Sequence, residues 1–113
     1  MKDEKKDARV YLKDMLGAIA KINKFTAGMA KGRFRANKMA FDATVRNLEI
    51  LGEAASKLPS SFRNENKGIE WARIIGMRNR LIHAYDDVNF DIVWSAVKYD
   101  VPELERKLKA IKQ

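Results

Sequence analysis

The sequence has 113 residues, one histidine, no cysteine and a formal net charge of +8. This length fits one domain, residues 1–113, and the balance of 46% hydrophobic and 34% charged residues is typical of a folded globular chain. Without cysteine, disulfides and thiolate metal sites are excluded, so we expect a function that uses no metal ion and no cofactor. No stretch longer than six residues lacks an acidic or basic side chain, so we expect no membrane span and a cytoplasmic protein.

Apolar residues recur at intervals of three and four in two long stretches, which is the spacing of one face of a helix. The first stripe comprises Leu12, Met15, Leu16, Ile19 and Ile22. The second comprises Phe41, Thr44, Leu48, Leu51, Ala55 and Leu58. Pro59 follows directly and helps to end the second helix, because a proline disfavours helical backbone in the residue before it. Two long helices are therefore predicted.

Positive charge is concentrated between these two stripes. No acidic residue occurs between Asp14 and Asp42. The basic residues of this interval are Lys21, Lys24, Lys31, Arg33, Arg35 and Lys38. Such a cluster around a helix connection is either an ordinary solvated surface or a contact for a phosphate backbone. Together with the net charge, it favours nucleic acid as the partner.

The middle of the chain contains one loop-like segment followed by a third helix. Residues 59–70 are rich in serine and asparagine, and a short helix can start there at Ser60 or Ser61. The next helical stretch is predicted from Trp71 to Tyr85.

The end of the chain predicts two further helical stretches. Asn89 is a suitable N-cap for the first, whose apolar stripe is Phe90, Val93, Trp94 and Val97. A fresh helix is expected at Asp100, because Asp100 and Glu103 can form reciprocal capping bonds and Pro102 is tolerated in a first turn. No segment alternates with a period of two. The predicted fold is an all-α, up-and-down bundle of four to five helices.

The core-facing arc of the third helix contains one charged residue. On an ideal helix the apolar members of this arc are Trp71, Ile74, Ile75, Met77, Leu81, Ile82 and Tyr85. Arg78 falls in the middle of the arc, where a guanidinium is costly unless an acid or a phosphate meets it. The second helix offers such an acid in its polar column of Arg46, Glu49 and Glu53. Arg78 can pair with one of these acids, or it can stay free to meet a phosphate. A pairing would not exclude function, because a carboxylate that holds the arginine also fixes its direction.

The single histidine, His83, lies on a different face of the third helix. It shares a column with Ala72, Gly76 and Asn79, whose side chains are small or polar. A lone histidine is most often an ordinary surface residue. The small neighbours favour a second interpretation, in which this face meets a second copy of the chain across a two-fold axis.

Arginine and histidine together suit cleavage of RNA by its own 2′-hydroxyl. That reaction needs a base, an acid and positive charge on the phosphate, but no metal ion. Arg78 can supply the charge, and His83 can transfer protons because imidazole titrates near neutral pH. Asn79 can orient the imidazole or donate to a phosphate oxygen. Since each chain has one histidine, a pair of imidazoles requires two chains.

The pattern Arg78-x4-His83-x-Tyr85 resembles the signature of HepT-type toxins, a branch of the HEPN superfamily of helical ribonucleases. The likeness extends to TVRNLEILGEAASKLP (44–59), EWARIIGMRNRLIHAY (70–85) and VWSAVKYDVPEL (93–104), and so covers nearly the whole chain. It implies a HEPN-like homodimer in which Arg78 and His83 of both subunits line a cleft and cut RNA without metal.

The same resemblance implies a protein partner, an MNT-type nucleotidyltransferase that acts as antitoxin. It would transfer AMP from ATP to Tyr85 and so silence the nuclease. Added phosphates beside the cleft would occupy the arginine and repel RNA. Because Tyr85 lies on the apolar arc of the ideal helix, a role in core packing also stays open.

Three functional hypotheses follow from the sequence. The first is a metal-independent endoribonuclease toxin, in which the basic residues from Lys21 to Lys38 guide the RNA backbone. The second is a non-catalytic module that binds nucleotide or RNA. The third is a substrate-binding subunit of a nucleotidyltransferase complex.

Overall fold

The computed structural model describes the backbone of residues 4–82 and 89–111 and the side chains of residues 8–81 and 89–111. Its helices are α1 (Glu4–Thr26), α2 (Lys31–Ala36), α3 (Lys38–Lys57), α4 (Ser60–Glu65), α5 (Trp71–Ile82), α6 (Phe90–Ser95) and α7 (Val101–Lys109). A π-helical segment, Ala96–Asp100, joins α6 to α7. The described ranges contain no strand, which confirms the all-α fold.

The core lies where the predicted stripes of α1 and α3 meet. From α1 the buried members are Leu12, Met15, Ile19 and Ile22, and from α3 they are Thr44, Leu48, Leu51 and Ala55. Leu16 and Phe41 pack against this core while partly exposed. In addition, α3 packs against α5, and α7 returns to α1. No helix of the described residues is both long enough and apolar enough to cross a membrane.

Helix α2 was not predicted from the sequence. It is only six residues long and has one buried side chain, Phe34, which is 0% exposed. The ring of Phe34 lies 5.6–5.8 Å from the rings of Phe41, Phe90 and Trp94, measured between centroids. Burial against residues distant in sequence therefore holds this helix, and no local apolar period reveals it. If α6, the π segment and α7 are counted as one continuous helix, the described residues contain six helices, one more than the predicted maximum of five.

Two predicted helix starts are confirmed. The short helix α4 begins at Ser60, and α5 begins at Trp71. The predicted end of α5 at Tyr85 lies outside the described residues. Beyond that gap, Asn89 caps α6 as expected, because its side-chain oxygen accepts hydrogen bonds from the backbone N–H groups of Asp91 and Ile92.

The predicted reciprocal capping at Asp100 is not found, although α7 does begin directly after it, at Val101. Asp100 has helical backbone angles and makes no capping hydrogen bond, because the chain passes from α6 into α7 through the π segment. There the N–H of Val101 donates to the carbonyl of Ala96, five residues earlier. The wider turn suits Pro102, whose ring would clash with a carbonyl four residues before it in an α-helix. The Asp100 carboxylate instead forms an ion pair with Arg73 across 3.1 Å.

Candidate active site

Arg78 projects from α5 toward α3 and is only partly exposed, with 27% of its side-chain surface accessible. Its Nη2 donates to Oε1 of Glu53 on α3. Of the alternatives that the sequence left open, the structure shows the pairing with an acid of the second helix, and Glu53 is the residue. Because Arg78 is only partly exposed, its charge would be poorly solvated without a partner of opposite charge. The Glu53 carboxylate therefore fixes the position of the guanidinium.

Glu53 and Asn79 hold Arg78 from two sides. The Arg78 Nη1 donates to Oδ1 of Asn79 over 2.8 Å, and the second carboxylate oxygen of Glu53 lies 3.5 Å from the Lys57 Nζ. The hydrogen bonds from Arg78 to Glu53 and to Asn79 use two of the five donors of the guanidinium. The described contacts therefore orient the group without consuming all of its capacity to bind an anion.

The contact between α3 and α5 depends on Gly52, whose role was not predicted from the sequence. A Cβ atom added at Gly52 would overlap the Arg78 Cβ and would lie 2.9 Å from its Cγ and 3.1 Å from the Ile74 carbonyl oxygen. Glycine inside a helix is unfavourable by about 0.5–1 kcal/mol relative to alanine. A glycine inside the predicted second helix, directly before Glu53, was therefore the feature of the sequence that could have indicated a close approach of two helices.

The column predicted to carry the histidine faces away from the core where it is described. Ala72 and Asn79 are exposed, and apart from the nearby backbone of α5 itself, nothing in the described residues lies within 4 Å of a Cβ built on Gly76. The structure thus brings Arg78 and Asn79 together. His83 and Tyr85 lie outside the described residues, so their positions stay sequence-based predictions.

The basic residues between Asp14 and Asp42 are all exposed, but they are spread over three helices. The last two turns of α1 contain Lys21 and Lys24, and α2 contains Lys31, Arg33 and Arg35. Lys38 is the first residue of α3. Three of these side chains form ion pairs or a cation–π contact with other residues. Lys31 pairs with Asp91 at 3.3 Å and Lys38 with Asp42 at 3.8 Å, while the Arg35 guanidinium lies 4.9 Å from the centroid of the Phe90 ring.

A cavity of about 350 Å³ opens beside Arg78. It is lined by residues of α1 and α3 as well as by Arg78, namely Tyr11, Asp14, Arg46, Glu49, Ile50, Glu53, Ala54 and Lys57. Within the described part of the chain, no group of three or more histidine, cysteine or acidic side chains is placed to hold a metal ion. The cavity therefore presents a mixture of cations, carboxylates and apolar surface at one guanidinium.

The structure places an oriented, partly exposed arginine, Arg78, on α5 of a small helical bundle, as the resemblance to the helical ribonucleases implies. The chain belongs to the family described as Ribonuclease HepT-like, whose model matches residues 15–111, and thus to the HEPN superfamily. This match confirms the family predicted from the sequence and the predicted enzyme class, endoribonuclease.

The chain is similar along nearly its whole length to several curated proteins. One, named as a probable ribonuclease HepT from Thermococcus cleftensis, is 36% identical over 109 residues, which cover 96% of this chain and 99% of that protein. A protein of Caldanaerobacter subterraneus subsp. tengcongensis named as a candidate RNase is 37% identical over 108 residues, 96% of each chain. Another candidate RNase, from Methanocaldococcus jannaschii, is 33% identical over 107 residues, 95% of this chain and 98% of its own. No solved structure is significantly similar to the chain.

Proposed function

We propose that this protein is a metal-independent endoribonuclease toxin of a toxin–antitoxin pair, acting on RNA in the cytoplasm. It cleaves RNA by attack of a ribose 2′-hydroxyl on the adjoining phosphate, in a cleft shared by two copies of the chain. The observation that carries this proposal is the oriented guanidinium of Arg78, held by Glu53 and Asn79 five positions before the single histidine.

Arg78 binds the phosphate at which cleavage occurs. As the 2′-oxygen attacks, negative charge on the phosphate oxygens increases, and a preoriented cation stabilises that charge most in the transition state. Glu53 and Asn79 supply the preorientation. Because their hydrogen bonds use two of the five guanidinium donors, a phosphate can bind without breaking either one.

His83 transfers the protons. One imidazole removes the proton of the 2′-hydroxyl, and a protonated imidazole donates a proton to the departing 5′-oxygen. Each chain carries one histidine, so two copies must join to supply both. The column of Ala72, Gly76 and Asn79, of which Ala72 and Asn79 are exposed, supports this arrangement, because small side chains allow a second α5 to approach closely.

The surface around α2 guides the RNA backbone toward the cleft. The residues in this role are Lys21, Lys24, Lys31, Arg33, Arg35 and Lys38. Phe34 packs against Phe90 at the start of α6, which directly follows the segment containing His83 and Tyr85 in the chain. The exposed cations of α2 can therefore attract phosphates toward the chain segment that contains His83 and Tyr85.

An MNT-type nucleotidyltransferase is the partner and antitoxin. It transfers AMP from ATP to the Tyr85 hydroxyl, forming a phosphodiester bond to tyrosine and releasing pyrophosphate. The added phosphate competes with RNA for Arg78 and repels the RNA backbone. A Tyr85→Phe protein would keep its nuclease activity in the presence of the transferase and ATP, whereas the wild type would lose it.

The test is incubation of the purified protein with RNA in excess chelator, followed by analysis of the new ends. We expect 2′,3′-cyclic phosphate and 5′-hydroxyl ends, and no cut at a site where the ribose carries a 2′-deoxy substitution. Salt-dependent binding without new ends would favour the non-catalytic RNA-binding hypothesis instead. Activity that requires the copurified transferase would favour the substrate-binding subunit.

A further inference from the structure

The cavity beside Arg78 is not used by the proton transfers or by the phosphate contact. Its volume of about 350 Å³ lies within the range of ~300–1,000 Å³ typical of small-molecule sites. Arg78 lines it together with residues from α1 and α3. A nucleotide whose phosphate is held by Arg78 therefore has a neighbouring space for one of its other groups.

The walls of the cavity suit a flat, partly apolar group. Tyr11 is half-buried and packs its ring against the core, and Ile50 and the buried Ala54 add aliphatic surface. A nucleobase released from its stack gains most from this kind of surface. Stacking of a base on an aromatic side chain contributes about 1–3 kcal/mol and is the usual way to hold single-stranded RNA.

The polar side chains of the cavity favour one base over the others. Glu49 has only 22% of its side-chain surface exposed, and one of its carboxylate oxygens lies 3.6 Å from Nη1 of Arg46. Asp14 lines the same cavity from α1. A carboxylate accepts hydrogen bonds and cannot donate them. Guanine presents two adjacent N–H donors on its Watson–Crick edge, whereas the other three bases each present at least one acceptor to a carboxylate there.

Arg46 strengthens the same preference. Arginine donates to the O6 and N7 acceptors of guanine more often than to any other base edge. A carboxylate and a guanidinium 3.6 Å apart thus match the donor and acceptor groups of guanine. Adenine and cytosine place an amino group where guanine has its O6 acceptor. An amino group there is unfavourable beside an arginine, because both groups are hydrogen-bond donors.

We infer that this cavity is a guanine-binding subsite for the nucleotide adjoining the scissile phosphate, with Tyr11 as its stacking wall and Glu49 as its hydrogen-bond acceptor. The inference rests on the proposed function, since it assigns the phosphate to Arg78. It makes the enzyme a nuclease that prefers cuts next to guanosine in single-stranded RNA.

Two measurements test the subsite separately from cleavage. The first sequences the ends made in total RNA by the wild type, by Glu49→Gln and by Glu105→Gln. The last is a matched control, because the Glu105 side chain is 27% exposed, close to the 22% of Glu49, and pairs with Lys109 on α7 at 3.1 Å. We expect guanosine beside the cut in the wild type and the control, and a preference lowered about tenfold in Glu49→Gln.

The second measurement titrates the four ribonucleoside 3′-monophosphates into His83→Ala protein and follows binding by calorimetry. Tighter binding of the guanine nucleotide, lost on adding Glu49→Gln, supports the subsite even if the wild type cuts no RNA. Equal affinity for the four nucleotides overturns it. The subsite is also overturned if the wild type cuts RNA without a base preference, or if Glu49→Gln cuts with the same preference as the wild type. In either case the proposed nuclease function still stands, because RNA is cut.

Discussion

The close approach of α3 and α5 at Gly52 can be tested by adding one methyl group. In Gly52→Ala the new Cβ overlaps the Arg78 Cβ and lies 2.9 Å from its Cγ, well inside the ~3.5–4.0 Å of ordinary carbon contacts. The clash is with the base of the side chain, so a rotamer change cannot relieve it and the helices must separate. Overpacking of this kind costs about 1–3 kcal/mol, against a gain of about 0.5–1 kcal/mol from helix propensity.

The net expectation for Gly52→Ala is a loss of about 1 kcal/mol within a range of about 0–2.5 kcal/mol, and each kcal/mol corresponds to a fall in Tm of roughly 4–8 °C. Thermal unfolding followed by circular dichroism measures it. Gly17→Ala is the matched control, because Gly17 lies within α1 and nothing lies within 4 Å of a Cβ built there. That variant should be more stable than the wild type by about 0.5–1 kcal/mol. If both alanine variants stabilise the protein alike, the described contact at Arg78 is wrong.

Three further substitutions probe the site and the core. Glu53→Gln removes the charge that anchors Arg78 but keeps its size, so RNA cleavage should fall about tenfold while stability changes by less than about 1 kcal/mol; an unchanged cleavage rate would refute the anchoring role. Phe34→Ala should lower the free energy of unfolding in urea by about 3–5 kcal/mol, because the ring is fully buried; a loss below 1 kcal/mol (about the size of a surface change) would contradict its place in the aromatic cluster. Asn89→Ala removes the cap of α6 and should cost about 1 kcal/mol in the same assay, and no loss would argue against that cap.

Long amphipathic helices were predictable from the sequence, whereas short elements held by distant contacts were not. The stripe from Leu12 to Ile22 repeats over three turns, so its spacing alone defines the buried face of α1. Phe34 is a single large apolar residue among cations, and two of the three rings that pack on it, those of Phe90 and Trp94, lie more than fifty positions later. Local spacing contains no trace of such a contact.

Capping signals were predictive only where the helix truly began. At Asn89 the chain enters α6 from outside a helix, so its side chain finds unsatisfied N–H groups. At Asp100 the preceding π turn already supplies partners for the backbone, and Arg73 attracts the carboxylate instead. Each place offers a side chain able to cap a helix, and the difference comes from the structure that precedes it.

The candidate site was partly predictable. Arg78 on an apolar arc demanded an acid, and the column on the second helix limited the choice to Glu49 or Glu53. Which of them pairs depends on how far α3 is shifted along α5, and Gly52 sets that by allowing the two helices to touch beside Glu53. The cavity with Tyr11 could not be foreseen, because it forms only when three helices come together.

The most direct test of the central claim compares RNA cleavage by the wild type and by His83→Ala in excess chelator, with thermal unfolding of both proteins as the control for folding. The proposed proton transfers predict that the wild type cuts RNA and that His83→Ala, folded and equally stable, cuts at least about 100-fold more slowly. A folded His83→Ala protein that cuts at the wild-type rate would contradict the account.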